Sequence, residues 1–248
     1  MYYFGRRKIR RARRAPSSAF APTDIAGIDL WLRADLGITL NGGDVSAWAD
    51  QSGTGDANKN AAQAVGASQP LYVASDAGYN GQPTIQFNGL TDFLFSAAWS
   101  TPPTTVGSMF IVGECAIDTV RVFGCLHSIG GIGELYNNGI GSTDLHYYQG
   151  SDFAVVGEAA LNAKHVYLVD RNGASTSVYQ DAKTALTTGN GGSGACERVV
   201  IGSNALAASL PLDGKIAEWI MYTRILDATE RGQVLDYLGA RYGVTIGA

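Results

Sequence analysis

The stretch LDGKIAEWIMYTRILDATERGQVLDYLGARYGV, residues 212–244, carries two periodicities in succession. From Gly214 to Arg224 the side chains alternate as in a strand, with Ile216, Glu218, Ile220 and Tyr222 on one side against Ala217, Trp219 and Met221 on the other. At Asp227 the pattern changes. Asp227 followed by Glu230 has capping-box spacing, in which the Asp carboxylate accepts from first-turn amides and Glu230 reaches back. Val234, Leu235, Leu238 and Tyr242 then share one face and Gly243 supplies a stop. The stretch therefore predicts a long strand followed by one helix whose apolar stripe packs on the core.

Outward from it, strand-like runs recur between turn residues at 28–34, 45–50, 83–88, 92–95, 108–117, 120–129, 145–150, 153–157, 165–171, 176–181 and 198–203. With 46% hydrophobic and 16% charged residues, and 32 glycines for turns, the composition supports a large core with many chain reversals. The expectation is an all-β sandwich of two antiparallel sheets over residues 24–248, one domain with one C-terminal helix. Pro16, Ser17, Ser18 and Pro22 mark residues 1–23 as an arm and linker. Cys115, Cys125 and Cys196 are an odd number, so reduced thiols are expected, and a Cys115–Cys125 pair is left to geometry. No apolar run follows the basic start and none approaches a membrane span, so neither signal-peptide export nor membrane insertion is expected.

Four segments together resemble the concanavalin A-like, laminin-G-like jelly-roll domains of bacterial and phage proteins: IDLWLRADLGI (28–38), VSAWADQSGTGD (45–56), QPTIQFNGLTDFL (82–94) and the closing stretch. The positions that carry the resemblance are Leu30, Trp31, Leu32 and Ala34; Trp48, Asp50, Ser52, Gly53 and Gly55; and Pro83, Phe87, Gly89, Asp92 and Leu94. Gly214, Ile216, Ala217, Glu218, Tyr222, Arg224 and Leu226 complete it, and the match runs from Asp24 to the C-terminus with a divergent middle. The resemblance implies a concanavalin A-like jelly roll with the last helix tucked against one end. Such domains serve as lectins, glycosidases, adhesion modules and virion components, so function has to be argued from sites.

A glycosidase on this fold is expected to carry E-x-D-x-E-type spacing on one strand, and none occurs; Glu114 and Asp118 stand four apart without a third member. Glu218 reads as an outward or hydrogen-bonded strand residue, and no enzyme is expected. GNGGSG (189–194) matches a dinucleotide-loop pattern but is followed by strand-like ACERVVIG, so a hairpin loop is expected. His127, His146 and His165 are scattered and form no metal motif. Asp50 and Asp56 could offer carboxylates to calcium, which some relatives bind near such loops, although a Gly-rich turn capped by Asp50 is favoured. Trp99, Tyr147 and Tyr148 are candidate glycan contacts by ring stacking, unless they belong to the core.

Arg6, Arg7, Lys8, Arg10, Arg11, Arg13 and Arg14 are seven cations within the first fourteen residues of a chain of net charge -4. Without them, 11 basic residues face 22 acidic ones, about -11 for the remainder. Such an arm repels itself and is ordered only on a partner with negative charge, either nucleic acid or an acidic groove on another protein. Tyr2, Tyr3 and Phe4 would add an apolar plug, and twenty extended residues reach about 65 Å at ~3.3 Å each. The leading expectation is a phage virion protein, capsid-decorating or tail-attached, whose arm docks on other virion proteins within an oligomeric assembly. The alternative is a carbohydrate-binding module for glycan attachment.

Overall fold

The computed structural model describes residues 20–115, 121–127, 133–137, 145–207 and 209–248. Seventeen strands lie among them. They are β1 Ile28–Arg33, β2 Ile38–Asn41, β3 Asp44–Trp48, β4 Ala61–Ala62, β5 Leu71–Asp76, β6 Gln82–Asn88, β7 Leu94–Ser96, β8 Gly107–Cys115 and β9 Arg121–His127. The remainder are β10 Glu134–Asn137, β11 Leu145–Tyr148, β12 Asp152–Ala154, β13 His165–Arg171, β14 Thr176–Gln180, β15 Thr187–Gly189, β16 Arg198–Ile201 and β17 Asp213–Tyr222. One helix, α1, spans Ala228–Tyr242.

All strand pairs are antiparallel, and they form two facing sheets. The first runs β15-β14-β13-β8-β17, with β1 and β6 sharing the far edge of β17 and β5 beyond β6. The second runs β12-β11-β10-β9-β16-β7-β4-β3-β2. A single pairing, Asp44 with Leu71, joins them at one corner. The main core lies between the sheets. Leu30, Met109, Ile111, Tyr167, Trp219 and Met221 from the first face Val45, Trp48, Leu94, Phe123, Leu135 and Val199 from the second, all with 1% exposure or less. The fold is a jelly-roll-like β-sandwich with one C-terminal helix.

The helix forms a third layer. Asp227 accepts from the Glu230 amide at 2.9 Å while Glu230 accepts from the Asp227 amide at 3.1 Å, and Gly243 closes the helix in the left-handed region at φ 67°. Val234, Leu235, Leu238 and Tyr242 lie against Phe110, Val166, Leu168 and Ile220 on the outer face of the first sheet. That face is thereby covered, while the outer face of the second sheet has no described helix over it.

Three expectations change in detail. The alternation in β17 slips by one, because a bulge opposite β8 lies between Ile216, paired with Gly113, and Glu218, paired with Val112. Ile216 therefore shares the inter-sheet core with Trp219 and Met221, while Ala217, Ile220 and Tyr222 face the helix. Five strands, β2, β4, β5, β10 and β15, fall outside the predicted runs. They are short or, like β5 with Leu71 at 45% exposure, have no continuous buried face to write an alternation. Packing also begins at Phe20, ahead of Asp24: its ring meets Tyr237 edge-on at 5.8 Å, and the Tyr222 hydroxyl donates to the Pro22 carbonyl. Cys115 and Cys196 are buried, and the side chain of Cys125 lies outside the described residues, as do the arm residues 1–14.

Candidate functional site

Strand parity sorts the predicted aromatic contacts. In β11, Leu145 and Tyr147 point into the core, leaving His146 and Tyr148 on the outer side. Tyr147 has no exposed surface and donates its hydroxyl to Gln149 at 2.8 Å. Trp99 is 4% exposed; its indole NH donates to Ser96 Oγ at 2.8 Å and the Lys59 ammonium stands 4.8 Å from its ring. Trp99 and Tyr147 are thus core residues with no face open for stacking, which corrects their candidacy. Tyr148 alone of the three reaches the surface, half-buried.

Asp50 and Asp56 are engaged in local turns. Asp50 accepts from the amides of Trp31 at 2.8 Å and Ser52 at 2.9 Å, and Asp56 caps the 3-10 turn Ala57–Lys59 through the Asn58 amide while accepting from the Ser100 amide at 2.8 Å. They border a shared cavity of about 290 Å³. Among the described residues no group of three or more His, Cys, Asp or Glu gathers as a metal site would require. GNGGSG follows β15 and leads back to the second sheet at β16, with Gly191 accepting from the Gln149 amide. His165 is buried against Asp181.

Glu218 lies inside the molecule, 1% exposed, where α1 crosses β1 and β17. Its carboxylate accepts from Trp31 Nε1 at 2.6 Å, Tyr237 Oη at 3.0 Å and Tyr242 Oη at 2.8 Å. Burial pushes its pKa up to about 7 against the pull of these donors and of Arg241. Every donor comes from a packing element and the group has no opening to solvent, so it joins three elements without presenting a reactive carboxylate.

The second sheet's outer face is where polar groups converge. Tyr136 stands opposite His146 in the β10–β11 register, with ring centroids 5.4 Å apart. The Tyr136 hydroxyl donates to Asp152 Oδ1 at 2.8 Å, and His146 Nδ1 lies 3.1 Å from Asp152 Oδ2. Glu134 is the cross-strand partner of Tyr148, which is that of Asp152, so β10, β11 and β12 set two acidic residues in one row on either side of a tyrosine. At about 4.8 Å between strands, their backbones stand some 10 Å apart. Burial alone pushes Glu134 up to about 7; the residue is 8% exposed and its carboxyl receives no hydrogen bond from a described residue. Sequence reading singled out only Tyr148 here. Glu134 and Asp152 are 18 positions apart, and only antiparallel pairing through β11 places them on one face.

No protein-family model matches the chain, and no curated protein sequence does. Solved structures share its fold at low identity. The receptor-binding domain of botulinum neurotoxin D superposes with a TM-score of 0.62 at 10% identity, over 91% of this chain and 57% of that one. The binding domain of Paraclostridial Mosquitocidal Protein 1 gives 0.60 at 10%, over 88% and 53%. A Trypanosoma rangeli sialidase in complex with sialic acid gives 0.55 at 14%, over 87% and 33%. The chain therefore spans between a third and somewhat over half of these proteins, and the likeness is one of fold.

Proposed function

We propose that this chain is a carbohydrate-recognition module of the concanavalin A-like, laminin-G-like kind, displayed from a larger assembly by its basic arm. The observation that carries the reading is the outer face of the second sheet, where Tyr136, His146 and Tyr148 lie beside the carboxylates of Glu134 and Asp152. Aromatic rings offer flat apolar surface to a sugar's C–H face, and fixed polar groups beside them take its hydroxyls. Two neighbours of this fold are named as binding domains and a third holds sialic acid, which supports recognition of a glycan without assigning one. The role is binding without hydrolysis: Glu218, the acidic residue of the closing motif, is sealed in the core by three donors.

The full chain on a glycan array, followed by calorimetry on the glycans retained, tests this. Tyr148→Ala is expected to weaken binding about tenfold, equivalent to ~1.4 kcal/mol, with the melting temperature little changed. Failure to retain any glycan sinks the proposal. Release of reducing ends that disappears in Glu134→Gln would replace binding by hydrolysis.

A second reading, a phage virion component with head or tail attachment through the arm, rests on seven cations preceding a body of net charge about -11. The two readings are compatible, since a decorating protein can carry a glycan-binding face.

A further inference from the structure

We infer that the β10–β12 face selects neutral glycans presenting adjacent hydroxyls and discriminates against sialylated ones, an inference that rests on the glycan reading above. The face is built of acceptors. The Glu134 carboxyl is opposite Tyr148 and takes no hydrogen bond from a described residue, and Asp152, its side chain 44% exposed, keeps accepting capacity beyond Tyr136 and His146. A carboxylate has about four lone-pair sites, and two neighbouring sugar hydroxyls can donate to its two oxygens together. Tyr148 is the cross-strand partner of both Glu134 and Asp152, and its half-buried ring is the surface offered to a sugar's C–H face beside them.

A sialic acid brings a carboxylate of its own. Among the described residues, no Arg or Lys pairs with Asp152 or Glu134; Asp152 is held by the Tyr136 hydroxyl and the His146 imidazole. A further carboxylate on this face would meet the exposed Asp152 carboxylate, and no described Arg offers the fork that carboxylate recognition uses. The body's net charge of about -11 adds repulsion at longer range.

The test uses the full chain and matched probes: lactose with 3′-sialyllactose, N-acetyllactosamine with its 6′-sialyl form, and maltose and mannobiose as further neutral disaccharides. Binding of neutral members with affinity falling tenfold or more on sialylation supports the inference. A sialylated member bound as tightly as its neutral counterpart, or more tightly, overturns it while leaving glycan recognition standing. Absence of binding across the whole array overturns both. Glu134→Gln and Asp152→Asn keep side-chain size, and each is expected to weaken the neutral glycan at least tenfold. The double variant is expected to narrow the gap between matched pairs. Unchanged neutral affinity in both single variants, each with wild-type melting behaviour, overturns the assignment of the site.

Discussion

Glu218 holds α1 to the sheet through donors from both, and the chemistry of that one carboxyl is open to measurement. Replacing it by Ala leaves the hydroxyls of Tyr237 and Tyr242 and the Trp31 indole without their acceptor. At about 1–3 kcal/mol for each buried donor left unsatisfied, a loss of ~3 kcal/mol or more is expected in urea unfolding. Glu218→Gln keeps the shape and isolates the charge. Because the folded pKa of about 7 exceeds the ordinary 4.5, the folded state holds the proton more tightly than the unfolded chain. Its contribution is full below pH 4.5 and is lost as pH rises through 7, so wild-type stability should fall by about 3 kcal/mol across that window relative to the Gln variant. Parallel wild-type and variant curves between pH 4 and 8 would remove this account. Glu134 shows the contrasting case, a carboxyl raised by burial alone that receives no hydrogen bond from a described residue.

At the scale of elements, the closing strand and helix were legible because their determinants are local. The Asp227 and Glu230 capping contacts and the Gly243 stop stand where the spacing predicts. Asp227→Ala is expected to lower stability by about 1 kcal/mol through loss of the cap, measured by thermal or urea melting, with full helix content retained at 25 °C. The turn after β16 is less forgiving. Gly202 has φ 79°, and a Cβ there would come within 2.3 Å of the Phe87 ring. Gly202→Ala is expected to be destabilising by more than the cap variant, since left-handed strain and a core clash coincide; a neutral effect would mean that Phe87 can move aside. The bulge at Ala217 was not legible, because β17 extends beyond the pattern of its own side chains and is bent by pairing with β8. β5 and β10 were hidden because their places come from pairing with the neighbouring strands β6 and β9 and not from an alternation of their own.

For the whole molecule, the cationic arm against an acidic body predicts separable roles. Removing residues 1–16 is expected to leave the melting transition unchanged and to abolish incorporation into the assembly; a truncated chain that assembles at wild-type occupancy removes the anchor role. The partner follows from salt. If seven cations meet phosphates, log K should fall with log salt at a slope of about -6, indifferent to nucleic-acid sequence. If the arm docks on protein, Tyr3→Ala or Phe4→Ala should weaken attachment at constant charge, the outcome we favour. The sequence by itself determined the all-β class, the terminal helix and the split of charge, because alternation, capping and composition act over a few residues or over none in particular. Only the tertiary structure decided which side chains face outward together. Trp99 and Tyr147 turned inward, and Glu134 and Asp152 came to one row with Tyr148, because a pleated strand sends alternate residues to opposite faces and the pairing register decides which residues stand side by side.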